Sequence, residues 1–230
     1  MRTRRLASAR TTAPAVSPAP SARPGLPEHD HRDRILVPLS TLRPTQATVG
    51  MRAVAVKRRK IEKRLETPSR IATFLAGKPI PSVRGPGGHL FMIDHHHLGL
   101  ALWQAEVETA YVYVIEDLSV MPVAAFWSRM EADGRVYPFD AEGRRIKPTR
   151  LPSRLNALRE DSFRDLAWSV REAGGFAKSR LPFAEFQWAD YFRVHVSERL
   201  VKRDYDAAVA RALKLARAKA ACELPGYLPR

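Results

Sequence analysis

Between Arg34 and Asp117 the apolar residues fall into short runs of strand length separated by stretches with helical spacing, and this alternation restricts the chain to a mixed α+β fold. Arg34-Ile35-Leu36-Val37-Pro38-Leu39 predicts a first strand, and Ser40 to Pro44 predicts a turn. From Met51 to Leu75, Val54, Val56, Ile61, Leu65, Ile71 and Leu75 recur among Lys and Arg as they do on helices. Pro68 divides this stretch in two, with Thr67 placed to cap the second helix and Gly77 to close it. Ile80 to Val83 and His89 to Ile93 flank Gly85-Pro86-Gly87-Gly88, which predicts a hairpin. A helix beginning near His96 and running through Leu98, Leu102 and Ala105, then a strand over Tyr111 to Ile115, complete the unit.

Beyond it the helical pattern dominates: Pro122 to Arg129, Asp161 to Ala173, Ala184 to Leu200 and Tyr205 to Ala220, with a turn-rich basic stretch from Val136 to Pro152. The aromatic-dense segment Phe183 to Arg193 repeats every three to four residues, which points to core. We therefore expect an α+β unit over residues 33–120, a mainly helical extension packed on it over 121–222, and a basic tail over 1–32. That tail is too poor in large apolar residues and too rich in proline to offset its chain entropy. No apolar run approaches the roughly 20 residues needed to cross a bilayer, and the N-terminus has no secretory apolar core, so a cytoplasmic protein without a membrane partner is expected. The single cysteine, Cys222, excludes an intramolecular disulfide and reads as a partly buried bystander thiol.

Charge narrows the partners. With 39 Lys plus Arg against 24 Asp plus Glu, the formal net charge is +15, which favours nucleotides, nucleic acid or acidic proteins. Arg58, Arg59, Lys60 and Arg64, together with Arg144, Arg145 and Lys147, are the candidates for contacting a phosphate backbone. No helix-turn-helix is evident, so reading a specific DNA sequence is not expected.

The residues that point to chemistry are Asp94-His95-His96-His97, four polar side chains set between an apolar strand and an apolar helix. Three readings fit. Imidazoles and a carboxylate are ligands for a divalent metal, although adjacent side chains diverge, so two at most would converge on one ion. Alternatively, Asp94 caps the following helix, whose N–H groups and histidines gather at its positive end as a phosphate site. Or the four residues serve only local hydrogen bonds. In the phosphate reading His96 and His97 contact the phosphate, Asp94 orients them or acts as base, and His96→Ala is expected to remove function without unfolding the chain. Thr45-Gln46, following the first turn, and Gly87-Gly88 in the hairpin are candidate ligand contacts alongside His95. Glu185 and Asp190 are secondary candidates, as carboxylates able to face the histidines across a cleft.

Several stretches taken together resemble the ParB-like nuclease family, a divergent branch of the ParB/sulfiredoxin superfamily. They are Val37 to Gln46 with Val49-Gly50, Ile80-Pro81 to Gly88, Ile93 to Leu98 with Ala101-Leu102, Leu166 to Arg171 with Gly174-Gly175, and Ala184-Glu185-Phe186 with Trp188-Ala189-Asp190. The resemblance covers residues 34 to 195 and is most specific at the Asp-His-His-His run. It implies a ParB/sulfiredoxin-like N-terminal unit whose strand-to-helix junction holds a nucleotide's phosphates. The superfamily includes nucleotide-dependent DNA-partitioning clamps, sulfinic-acid reductases and free-serine kinases. The resemblance implies a pocket here and no particular reaction; the leading expectation is a nuclease or a nucleotide-dependent phosphotransferase, with a nucleoside triphosphate or diphosphate and Mg2+ as cofactor, and the alternatives are a non-catalytic DNA-binding or nucleotide-sensing protein related to chromosome partitioning and an interaction module that keeps the fold without a ligand. Many superfamily members carry Asp-Gly-His-His-Arg here. Asp94, His96 and His97 match that pattern, His95 stands in place of its glycine, and Leu98 replaces an arginine that would grip phosphate with two hydrogen bonds. DHH phosphoesterases share Asp-His-His, but they need upstream aspartates, and only Glu62 and Glu66 are acidic between Ile35 and Asp94.

Overall fold

The computed structural model describes residues 34–229; the tail expected over 1–32 lies outside them. The chain has an α+β fold. Strands β1 (Arg34–Pro38), β2 (Leu42–Pro44), β4 (Ile80–Arg84), β5 (Leu90–Met92) and β6 (Thr109–Asp117) form one sheet, and β3 (Thr48–Val49) and β7 (Arg159–Glu160) form a small parallel pair. In the sheet the order is β1-β6-β4-β5-β2. β1 and β6 run antiparallel, β6 and β4 parallel, β4 and β5 antiparallel as the expected hairpin, and β5 and β2 parallel.

The expected turn over Ser40 to Pro44 is corrected. Leu39 to Thr41 make one 3-10 turn, after which Leu42–Pro44 return to extended backbone as an edge strand beside β5. Leu42 and Pro44 are buried while Arg43 is not, a period of two that three residues are too few to reveal in sequence. Pro44 is tolerated because an edge strand can spare a donor on its open side.

Helix α1 (Met51–Leu65) buries Ala53, Val54 and Ile61 and turns its Lys and Arg outward, and α2 (Pro68–Ala76) follows with Pro68 in its first turn. Thr67 stands at the expected cap position, although its side chain makes no capping bond. Helix α3 (His96–Gln104) buries Leu98, Leu100, Ala101 and Leu102 beneath α1. Leu42, Val49, Val54, Ile61, Ile80, Met92 and Val112 join them in one core.

The C-terminal part contains α4 (Val123–Ala132), α5 (Ser162–Glu172), α6 (Ala184–His195), α7 (Glu198–Arg203) and α8 (Tyr205–Ala216). The single helix expected over 184–200 is two helices: the chain opens at Val196 and Ser197, and the Ser197 hydroxyl accepts from the Leu200 N–H to start α7. α8 stops at Ala216, short of Ala220. Phe163, Leu166, Val170, Trp188, Phe192, Val201, Ala208 and Ala212 pack into a second core, so the aromatic segment of α6 is core as expected. Cys222 is exposed, not partly buried. Among the described residues no helix is long and apolar enough to cross a membrane.

Candidate functional site

β5 delivers the chain, fully buried, to Ile93, and Asp94 and His95 turn it into α3. The expected cap is corrected. His95, not Asp94, precedes the helix, with left-handed backbone at φ 64°, and no side chain caps the first turn of α3. Asp94 Oδ1 instead accepts from the N–H of His95 at 2.6 Å, and the carboxylate is exposed. The first N–H groups of α3 are therefore left without a side-chain acceptor at the positive end of the helix.

His96 and His97 turn back into the fold. His96 is 3% exposed, and its Nε2 accepts from the Thr45 N–H at 3.1 Å, while the Thr45 hydroxyl donates to the Met92 carbonyl at 2.8 Å. His97 Nε2 accepts from the Gly50 N–H at 3.1 Å. The two imidazoles thus fasten the segment between β2 and α1 to the β5–α3 junction, each through its Nε2. Burial pushes His96 down to about 3, with Asp94 opposing and His95 and Arg164 adding to the fall. Burial, followed by Arg164 and Lys57, also pushes His97 well below the usual imidazole value. Both rings are neutral at physiological pH and poorly suited to shuttling a proton there.

Thr45 is therefore brought to the histidines by its own backbone, and Gln46 beside it is buried with Nε2 donating to the Thr48 carbonyl at 2.6 Å. Gly87 and Gly88 are not brought there. They form the turn at the opposite end of β5, roughly 15–20 Å along the strand from Asp94. Their positive φ values, 71° and 73°, meet the demands of that turn.

His95 differs from its neighbours. Its Nδ1 is buried without a hydrogen-bond partner, and its pKa falls through burial, opposed by Asp94 and assisted by Lys78, Lys57 and Lys178. Lys57 comes from α1, Lys78 follows α2 and Lys178 follows α5. Partial burial together with Arg171, Lys60 and Lys78 lowers the Lys57 ammonium, so these cations crowd one another. No ion pair binds Lys57, Lys78 or Lys178 among the described residues.

On the inner side lies Arg164 of α5, 4% exposed, stacked at 3.8 Å over the Phe186 ring, with Nε and Nη1 unpaired. Its one ion pair among the described residues, to Glu185, is long at 3.5 Å, and burial lowers the guanidinium to about 10. Glu185 also binds Arg171, and Asp190 accepts from the Tyr137 hydroxyl at 2.8 Å. Glu185 and Asp190 thus serve arginine and tyrosine partners, and neither makes a hydrogen bond to the histidines among the described residues. Its neighbour Asp165 turns the other way, its Oδ1 accepting from the N–H groups of Arg52 and Ala53 at 2.9 and 3.2 Å and so capping α1 from outside. Sequence reasoning missed Arg164, Asp165 and Lys57. Its available signal was two charged residues on the apolar stripe of α5, between Phe163 and Leu166.

Among the described residues no group of three or more His, Cys, Asp or Glu side chains is placed to hold a metal ion. The junction offers one carboxylate among Lys57, Lys78 and Lys178, a donor set that does not fit a protein-held Mg2+. The basic stretch near Gly143 is largely self-neutralised: Arg144 pairs with Asp140 and Glu142, and Arg145 with Glu131.

Residues 35–194 match the family described as "Putative ParB-like nuclease". No match was found among curated proteins. A crystal structure of protein Atu1540 from Agrobacterium tumefaciens is 37% identical, with 86% of this chain and 98% of that one covered and a TM-score of 0.77.

Proposed function

Because this chain belongs to the ParB-like nuclease family, we propose that it binds a phosphate-bearing ligand at the N-terminus of α3, and that it acts there as a nuclease or nucleotide-dependent phosphotransferase. One observation carries the reading: among the largest electrostatic influences on the three histidines are the cations Lys57, Lys78, Lys178, Arg164 and Arg171, opposed by the single carboxylate of Asp94. A positive site of this kind, at the open end of a helix, is completed by an anion.

In this reading the roles differ from those expected from sequence. His95 and the first N–H groups of α3 face the phosphate, with Lys57, Lys78 and Lys178 supplying charge. Thr45, His96 and His97 hold the junction in shape, as neutral acceptors with their Nε2 atoms occupied. Asp94 is exposed, and the His95 N–H engages only its Oδ1, so Oδ2 is the free oxygen for general-base work on an attacking hydroxyl or water. The lysines take over part of the work of the arginine replaced by Leu98, as point charges without its two-pronged geometry. A divalent ion would arrive on the phosphates of a nucleotide; there it would neutralise charge.

The test is a thermal-shift screen of the whole chain with ATP, ADP, CTP, GTP, inorganic phosphate and a short DNA, with and without Mg2+, since a ligand of the native state raises apparent stability. At least one phosphate compound should raise the melting temperature, and Lys57→Ala with Lys78→Ala should abolish that rise while leaving the unliganded melting curve in place. A wild-type chain unmoved by every phosphate compound would overturn the reading.

A further inference from the structure

Away from the junction, α1 and α2 meet at an elbow whose outer side is a groove of about 570 Å3, lined by Lys63, Arg64, Ser69, Arg70, Thr73 and Phe74. No acid lines it. Residues 51–78 carry nine of the chain's cationic side chains and only Glu62 and Glu66 as acids; Glu62 is taken by Arg58 at 3.3 Å. Lys60, Lys63 and Arg70 have no ion pair among the described residues. Phe74 floors the groove, with the Arg64 guanidinium 4.7 Å above its ring.

The groove also has a direction. Lys57, Lys60 and Arg64 are spaced i, i+3 and i+7 on α1 and share one face. Lys57, at one end of the row, acts on His95, and Arg64, at the other, enters the groove. The row spans roughly 10 Å of helix axis, about three phosphates at the axial spacing of one DNA strand.

We propose that this elbow binds the sugar–phosphate backbone of a nucleic acid, which then follows the cationic row of α1 toward the N-terminus of α3. Converging Lys and Arg neutralise phosphates, the Ser69 hydroxyl lies at the groove wall while that of Thr73 donates to the Ser69 carbonyl, and the arginine-on-phenylalanine platform offers a flat cationic surface to a base. An anionic membrane is the less suitable occupant, because Leu65, 41% exposed, is the only exposed large hydrophobic residue of α1 and α2. The elbow's binding does not depend on whether the α3 junction is catalytic.

The experiment is fluorescence anisotropy of the full chain with labelled single-stranded and duplex DNA of about 20 nucleotides, titrated at several salt concentrations. Lys63→Ala with Arg70→Ala removes two exposed cations that support nothing else in the described fold. It should weaken binding about tenfold or more and reduce the salt slope by about 1.4 for the single strand or 1.8 for the duplex. Arg144→Ala with Arg145→Ala removes the same charge from a self-neutralised surface and should change affinity less than threefold, roughly the scale of a screened rim charge. Unchanged binding in the elbow variant, or an equal loss in the control, would overturn the proposal. So would an elbow-dependent affinity for phosphatidylserine vesicles without one for DNA. The elbow variant keeps the junction, so its nucleotide or phosphate thermal shift should persist; failure at the junction and failure at the elbow are read separately.

Discussion

His95 occupies the left-handed region at φ 64°, where a side chain costs about 1–2 kcal/mol that glycine does not. This gives a physical reason for the glycine at this place in the resembling pattern, and it makes the histidine a strained residue kept at the mouth of a positive site. His95→Gly should raise stability by about 1 kcal/mol in thermal or urea melts, because the strain goes, and should weaken the phosphate-dependent thermal shift, because the imidazole goes. Stability and binding moving together would show that the imidazole has no part in the ligand. At His96 the expectation reverses. Removing its ring leaves the buried Thr45 N–H without an acceptor, so His96→Ala should lower stability by roughly 1–3 kcal/mol, contrary to the sequence-based expectation of an unchanged melting curve. The pH dependence follows from the direction of its shift. Folded His96 takes a proton only near pH 3, whereas the unfolded chain takes one near 6.5, so stability is full above about pH 6.5 and is lost progressively between 6.5 and 3. His97 adds in the same direction. His96→Gln, which retains an acceptor but does not titrate, should flatten that decline in melts recorded from pH 8 to pH 4.

Helix α1 begins at a point where two elements nearly touch. Its cap residue, Gly50, has ordinary backbone at φ −80°, so glycine is required for room: a Cβ would stand 2.4 Å from Asp165 Oδ1. That carboxylate replaces a local cap, accepting two N–H groups of α1 from α5, and burial raises it to about 6 against those hydrogen bonds. Asp165→Ala should therefore cost about 1–2 kcal/mol, as loss of a cap does. Gly50→Ala should cost at least as much. Since the closest contact disappears with the carboxylate while the Asp165 backbone nitrogen stays 3.0 Å away, the double variant should be less destabilised than the sum, by up to about 1 kcal/mol in a double-mutant cycle. A cap supplied by another helix carries no local signature, which is why α1 and α2 were legible from spacing and Pro68 whereas the bond that starts α1 was not. The same limit applied to the site. The Asp94–His97 run was visible as polar residues between apolar elements, but nothing local shows that His96 and His97 turn inward to Thr45 and Gly50. Arg164, Lys57 and Lys178 reach that junction only through tertiary packing.

For the molecule as a whole, the hydrophobic periods identified the α+β class, the hairpin and most helices. They did not give the sheet order, because β1 and β2, adjacent in sequence, lie at opposite rims, with β6, β4 and β5 between them. β2 is too short to declare itself, and the break at Val196 and Ser197 depends on a single hydroxyl cap. Net charge pointed to polyanions as a class of partner but not to any one surface. In the fold, the segment near Arg144 and Arg145 cancels its own charge, while the α1–α2 elbow does not. A chain ending at residue 108 lacks β6, among the described residues the only strand pairing with both β1 and β4. In hydrogen exchange the β1 amides should lose their protection even where β2, β4 and β5 still pair, and protected β1 amides in that fragment would contradict the assigned order. During synthesis, the two strands made first become the rims, and the middle is filled from chain that emerges later. Among the described residues β1 has no partner until Thr109–Asp117 is available, so the sheet closes late, and until then the nascent chain presents the unpaired backbone of β1 to whatever chaperone attends it.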